Sequence, residues 1–489
     1  MKYITLLSFA AVLTCFTIFL IYSDFGWKDN EKNRLEFEEY LRNHPFNQKE
    51  ILTPAEWKKK LPKKDRPDLA MEQDFFMTMD PVTKRVPKER LIDAYAYADE
   101  IRQSLRSSER GTWTELGPNN VAGRTRTVMY DPNDATYKKV WAGGVAGGLW
   151  YTDDITVSSP TWNKIDDFWD NMAVSCMAYD PNNTQIFYVG TGEVYTGASR
   201  GFGLWKTSDG GTNWSRLTST ENFYYVNDIV VRNVSGSSVI YVAIGNNYYE
   251  GAWTNSNDGL YRSTDDGSSW TQVISNSLSG TPYQPSDIEL DANNNLWIGT
   301  RNNIYGYGGG TILYSTDGLN YTAKYTDANT ISTIPGAYRV EVACAPSNSN
   351  VIYAVGASTD AGDNDVLFFI KSSDGGSNWS SITIPLNSDG NHFTRAQAWY
   401  DLILAVDPNN ENTLYAGGIN LHKSEYSGSS WSQISHWYGE FGMPNVHADQ
   451  HTIVFNPGNS NIIIFGNDGG IYMTTDGGAS FVSKNTGYN

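Results

Sequence analysis

At 489 residues the chain exceeds the usual size of a single hydrophobic core, which calls for several domains or one large repeat fold. Charged residues are only 18 % while aromatics reach 13 % and glycines number 45, a balance that excludes disorder and a helical bundle and favours short strands joined by tight turns. A formal charge of -18 excludes a nucleic-acid backbone as partner and makes a neutral or cationic ligand electrostatically easier.

The chain opens with Lys2 and an uncharged run from Tyr3 to Ser23, the form of an export signal or a retained anchor. Either reading places the remainder outside the cytoplasm, secreted or at the cell envelope. Of the three cysteines Cys15 lies in this leader, and Cys176 and Cys344 fall in apolar runs, so no disulfide framework is expected. From 24 to 110 Lys, Glu, Arg and Asp dominate, and helical signals replace strand signals. Thr53-Pro54-Ala55-Glu56 combines an N-cap, a proline at the first helical position and a capping-box Glu. After Pro87, Leu91, Ala94, Tyr95, Ala98, Ile101 and Leu105 share a helical stripe. The segment reads as a helical prosegment or spacer without catalytic groups.

From 111 to 489 the punctuation is that of a repeat. Ser/Thr-x-Asp-x-Gly-x-x-aromatic recurs at 207–214, 263–270, 372–379 and 474–481, with a shorter copy at 315–321. At 424–431 Tyr426 replaces the Asp, and a stretched copy surrounds Asp154. Successive Asp positions lie 50 to 57 residues apart, the period of four-stranded propeller blades. One blade is drawn as strands A to D at 228–232, 239–244, 260–263 and 270–273. The expectation is an all-β, seven-bladed propeller of four-stranded antiparallel blades behind an N-terminal helical arm. Trp113-Thr114-Glu115-Leu116 resembles a D strand lacking its A, B and C, so an eighth blade, or a continuation of the chain, stays open. In each box the Asp accepts backbone N–H groups of the C–D turn while Gly supplies positive φ, a structural task.

Residues 113 to 489 resemble the Asp-box (BNR-repeat) propellers, a set holding sialidases, two-propeller xyloglucanases and sortilin-type receptors. The likeness is strongest to secreted bacterial glycosyl-hydrolase-like members, through GPNNVAGRTR (117–126), YVGTGE (188–193), HADQH (447–451) and GNDGG (466–470). The resemblance implies a carbohydrate ligand, with a sortilin-like, non-enzymatic grip on an envelope protein as the alternative. Sialidases of this kind carry an Arg-Ile-Pro segment; this chain has Arg124 and Arg126 without it. Xyloglucanases place an acid before paired glycines of the first blade, where this chain reads Val145-Ala146-Gly147-Gly148.

Strand order puts the D–A and B–C loops on one face and the boxes on the other. That face collects Tyr195, Trp253 and Trp437, flat rings that suit sugars or peptide side chains. His447, Asp449 and His451, spaced i, i+2, i+4, would share one side of a strand and could ligate a metal, act as an acid/base pair or bond neighbouring blades. For glycoside hydrolysis the candidate carboxylates are Glu193, Asp449 and Asp468, with Arg124, Arg126, His447 and His451 positioning substrate. No phosphate loop, dinucleotide fingerprint or cysteine-based metal site is present, and no cofactor is expected.

Overall fold

The computed structural model describes residues 32–44, 67–87, 90–104, 119–165, 173–195, 199–249, 252–253, 257–274, 283–303, 305–326, 337–358 and 366–488. The leader, Thr53-Pro54-Ala55-Glu56 and Trp113 to Leu116 lie outside these residues. The chain divides into two compact units, Met1–Arg110 and Gly111–Asn489.

In the first unit helices span 32–43, Pro67–Thr78 and Leu91–Ser104. The first two meet through rings: Tyr40 lies 5.1 Å and His44 5.5 Å from Phe76. Asp80 closes the following turn by accepting the N–H groups of Val82 and Thr83, and Arg90 bonds its carboxylate. Among the described residues no helix is long and apolar enough to cross a membrane.

The second unit is built from antiparallel sheets. Five have four strands each, and an eight-stranded sheet joins two further four-strand runs through the single backbone pair Arg301↔Arg339. The blade drawn from sequence appears as Val226–Val234, Ser237–Ile244, Gly259–Ser263 and Thr271–Gln272. Innermost strands touch in chain order, and the last, Gln450–Asn456, returns to the first, Thr125–Tyr130. This is a β-propeller. Its core is divided among the seams: Trp141, Leu149, Val174 and Phe187 fill the first, while Val128, Val140, Ile464 and Ile471 fill the closing one.

Every seam but the closing one repeats one contact. Strand B carries a buried aromatic, Trp141, Tyr188, Tyr241, Trp297, Tyr353 or Tyr415, aimed at the next sheet. Five of them reach that sheet's C–D turn: a Cβ added to Gly211 would lie 2.3 Å from Trp141 Cη2, one on Gly376 2.7 Å from Trp297, and one on Gly318 2.6 Å from Tyr241 Cζ. Tyr188 donates its hydroxyl to Asp266 at 2.6 Å and Tyr415 to the Gly477 carbonyl at 3.0 Å. The turns are tight enough to receive these rings because they are self-bonded. Asp374 accepts the Ser372 hydroxyl at 2.9 Å and the Asn378 N–H at 2.8 Å, and Ser372 Oγ accepts the Gly376 N–H at 2.9 Å. Where Tyr426 replaces the Asp, Ser424 Oγ still accepts the Gly428 N–H, and the tyrosine is 68 % exposed. The serine half of the turn survives alone.

Gly211 and Gly236 have similar φ, 90° and 85°, but nothing lies within 4 Å of a Cβ built on Gly236. Gly236→Ala is expected to cost roughly 1 kcal/mol of left-handed strain, and Gly211→Ala roughly 1–3 kcal/mol more for the collision with Trp141. Denaturant unfolding of the two variants checks the difference.

Hydrogen bonds from the residue four positions on hold Asp209, Asp265, Asp374 and Asp476 down to about 2. A depressed folded-state pKa stabilises above the unfolded value, about 4, and that contribution is lost as pH falls through the folded one. The Tm should therefore be level above about pH 4 and fall between there and about pH 2. The double variant Asp265→Asn, Asp374→Asn should start lower at neutral pH and fall less.

Candidate functional site

The segments entering strand A meet the B–C turns around Asp468. This residue lies in the last sheet's B–C turn, and its N–H donates to the Asp449 carbonyl at 3.2 Å, which pins it to the approach of strand Gln450–Asn456. Asp468 Oδ1 accepts His451 Nε2 at 2.6 Å and the Tyr400 hydroxyl at 3.0 Å. Arg124 Nη1 donates to the same phenol at 2.8 Å, and Arg126 Nη1 lies 2.7 Å from His451 Nδ1. A continuous chain thus runs Arg124, Tyr400, Asp468, His451, Arg126, crossing from the first sheet to the last.

Guanidinium can only donate, so His451 Nδ1 must accept and the ring proton sits on Nε2, facing Asp468. Burial, then the Arg126 charge, push His451 down to about 4. The imidazole is neutral at pH 7 and both its nitrogens are engaged. Burial alone would raise Asp468, but the bonds from His451 and Tyr400 and the Arg124 charge outweigh it and hold the carboxyl below its ordinary range. Asp449 moves the other way. Burial raises it first and the Asp468 charge second, against the opposing effects of His447 and Asp401. Asp401 is fully buried at the entry to strand Ile403–Asp407.

The backbone here is unusual. Asp449, Phe441, Arg395 and Ala396 hold φ of 64°, 56°, 46° and 66° in the two neighbouring D–A loops. Positive φ at non-glycine residues costs energy and persists where surroundings enforce it. It also corrects an expectation. His447, Asp449 and His451 do not share one side of a strand, because the strand begins at Gln450 and the left-handed Asp449 breaks the alternation. His447 is exposed with its ring against Gly469, while the His451 side chain is buried. Among the described residues no three His, Cys, Asp or Glu side chains are placed to hold a metal ion.

Glu193 is buried 2 % exposed, its backbone bridged to Ser199, and its charge acts on Arg124 and His451. Tyr195 lies under three guanidinium groups, with Arg126, Arg339 and Arg301 at 4.3, 4.4 and 5.2 Å from the ring centroid. Trp437 stacks on Tyr438 at 4.1 Å in the neighbouring loop, outside the Asp468 network. Trp253 falls in a two-residue strand paired with Tyr248–Tyr249, and its side chain lies outside the described ones. Sequence reasoning missed Tyr400 and Trp399. Tyr400 packs edge-on at 4.8 Å from His451, and Trp399, 40 % exposed, lies 5.4 Å from Tyr400. The available signal was Trp399-Tyr400-Asp401 directly ahead of a strand A.

No protein-family model matches the sequence. The solved GH74 xyloglucanase from Xanthomonas campestris superposes with a TM-score of 0.54 at 15 % identity, covering 77 % of this chain and 56 % of that one. An ancestral GH74 enzyme gives 0.54 at 19 %, covering 76 % and 47 %. Both likenesses are of fold, a β-propeller. In sequence, a Paenibacillus sp. xyloglucanase is 30 % identical over 234 residues, 42 % of this chain and 20 % of that enzyme. A Hypocrea jecorina xyloglucanase is 25 % identical over 355 residues, 67 % and 40 %. The chain thus spans from a fifth to two fifths of the length of these two relatives of the propeller.

The tautomer argument is checked by nitrogen-15 NMR of the imidazoles. His451 is expected to stay neutral, protonated on Nε2, until about pH 4. Arg126→Met removes a neighbouring cation and should raise its midpoint.

Proposed function

We propose that the protein binds and hydrolyses a polysaccharide at the face where the D–A and B–C loops gather, the mouth of the propeller channel. One observation carries this reading: two adjacent carboxyl groups, Asp449 and Asp468, are driven in opposite directions by their surroundings. Glycoside hydrolysis needs that division, with a protonated acid for the leaving oxygen and an ionised carboxylate as base or nucleophile. Asp449 takes the first role and Asp468 the second. Asp401, fully buried, acts on Asp449, and Glu193 contributes charge from a buried position.

The relatives named xyloglucanase support a sugar polymer as substrate. Val145 stands where their pattern has an acid, so the reading rests on Asp449 and Asp468 rather than on that position. Trp399, 40 % exposed, and Trp437 in the neighbouring loop offer ring faces for pyranoses. Arg124, Arg126 and His451 position the carboxylates, and His447 stands exposed for the ligand. Counting both halves of the eight-stranded sheet, we infer seven blades. The uncharged run after Lys2 supports export to the cell surface or beyond.

The test is a hydrolysis and glycan-binding screen of the purified chain against β-glucans, xyloglucan among them. Asp449→Asn and Asp468→Asn should each slow hydrolysis by about 100-fold or more while leaving binding in place. Activity should rise as Asp468 ionises, below the usual carboxylate range, and fall as Asp449 loses its proton above it. No polysaccharide binding, with an envelope protein recovered instead, overturns the reading in favour of a sortilin-like role.

A further inference from the structure

Beyond the last D strand, Val482–Ser483, the chain turns back across the seam between the last sheet and the first. Residues 484 to 488 form a strap there, with Lys484, Asn485 and Tyr488 buried.

The strap is bonded on both sides of the seam. Toward the last sheet, Asn485 Oδ1 accepts the Ile471 N–H and Asn485 Nδ2 donates to the Gly469 carbonyl, each at 2.7 Å. Gly469 directly follows Asp468. Toward the first sheet, Trp162 Nε1 donates to the Lys484 carbonyl at 2.8 Å and the Gly487 N–H to the Asn119 carbonyl at 2.6 Å. The Tyr488 ring lies 4.9 Å from that of Trp162 and 5.7 Å from that of Trp150, and its oxygen accepts the Thr125 hydroxyl at 3.1 Å. Thr125 is fully buried and stands between Arg124 and Arg126.

One side chain of the strap therefore holds the neighbour of Asp468, and another holds the residue that joins the two site arginines. At the other seams a strand B ring in a C–D turn fixes one sheet against the next, but here strand B carries Ile464. The bond between Arg126 and His451, at 2.7 Å, nonetheless spans this seam. A hydrogen bond of that length is lost with a slip of about 1 Å. The register must be set more finely than that, and the strap is bonded to the segments on either side.

We propose that Asn485 and Tyr488 are positioning residues of the site, holding Asp468 and the two arginines in register across the seam; their effect on turnover rests on the hydrolytic reading above. Both are buried and act through Gly469 and Thr125.

The experiment sets Tyr488→Phe, which keeps the ring and deletes the hydroxyl, beside Asn485→Ala in the full chain. Nitrogen-15 NMR follows the His451 imidazole, and a soluble β-glucan gives kcat and KM. Arg126 lowers the His451 midpoint, while Asp468 and Glu193 raise it. Tyr488→Phe frees Arg126 and should raise the midpoint above about 4, whereas Asn485→Ala frees Asp468 and should lower it. Both should cut kcat by about tenfold or more with KM held within about twofold. Thr125→Val deletes the same bond from its other partner, so it should match Tyr488→Phe, and the double variant should be no worse than either. An unmoved midpoint in all of these variants, or a rise in every one as general loosening would give, makes the strap merely structural and overturns the proposal. Opposite shifts in a chain that hydrolyses no polysaccharide sink the hydrolytic reading and leave the positioning in place.

Discussion

The propeller depends on a ring of strand B fitting into the C–D turn of the next sheet. A four-stranded sheet has two apolar faces and cannot bury either alone. The aromatic on one side and the glycine on the other convert that general need into a fixed distance and angle between neighbours. The turn can accept an indole or a phenol only because glycine leaves room and because its own Asp and Ser/Thr satisfy the backbone donors that the incoming ring would otherwise strand. Short-range turn chemistry thereby sets long-range geometry. The segments entering strand A are brought to one point with enough precision for Arg124, from the first sheet, and Asp468, from the last, to bond the same phenol.

The opposed behaviour of Asp449 and Asp468 follows from where their partners come from. Asp468 receives two donors and a nearby guanidinium, each on a different segment, whereas Asp449 faces other carboxyl groups. Neither environment is a property of the residue's own strand. The difference between two identical side chains is produced by the ring, and by the left-handed backbone at Asp449 that breaks the strand's regular alternation.

Much of the fold was legible because its signals are local. Asp-to-Gly spacing and aromatic strand B repeats fall within a few residues, and the strands drawn for 228–273 agree with the structure to within about two residues. The site was legible only in part. Arg124, Arg126, His451, Asp449 and Asp468 were picked out and do come together, but the proposed common strand face failed on one backbone angle that composition does not announce. Tyr400 was missed because its importance lies in partners 276 and 68 residues away in sequence.

The closing seam differs from the others. The last sheet carries Ile464 where earlier sheets present their strand B aromatic, and the first sheet's C–D turn is the stretched one around Asp154. In place of the ring-in-turn contact, polar bonds are added to the apolar core there: Trp162 to the Lys484 carbonyl, Thr125 to Tyr488, and Arg126 to His451. The site residues are therefore also a clasp. Its strength is conditional on the imidazole staying neutral, since a protonated His451 would set two cations face to face at the point where the circle is joined. Acid that protonates His451, at about pH 4, would weaken this contact between the last sheet and the first.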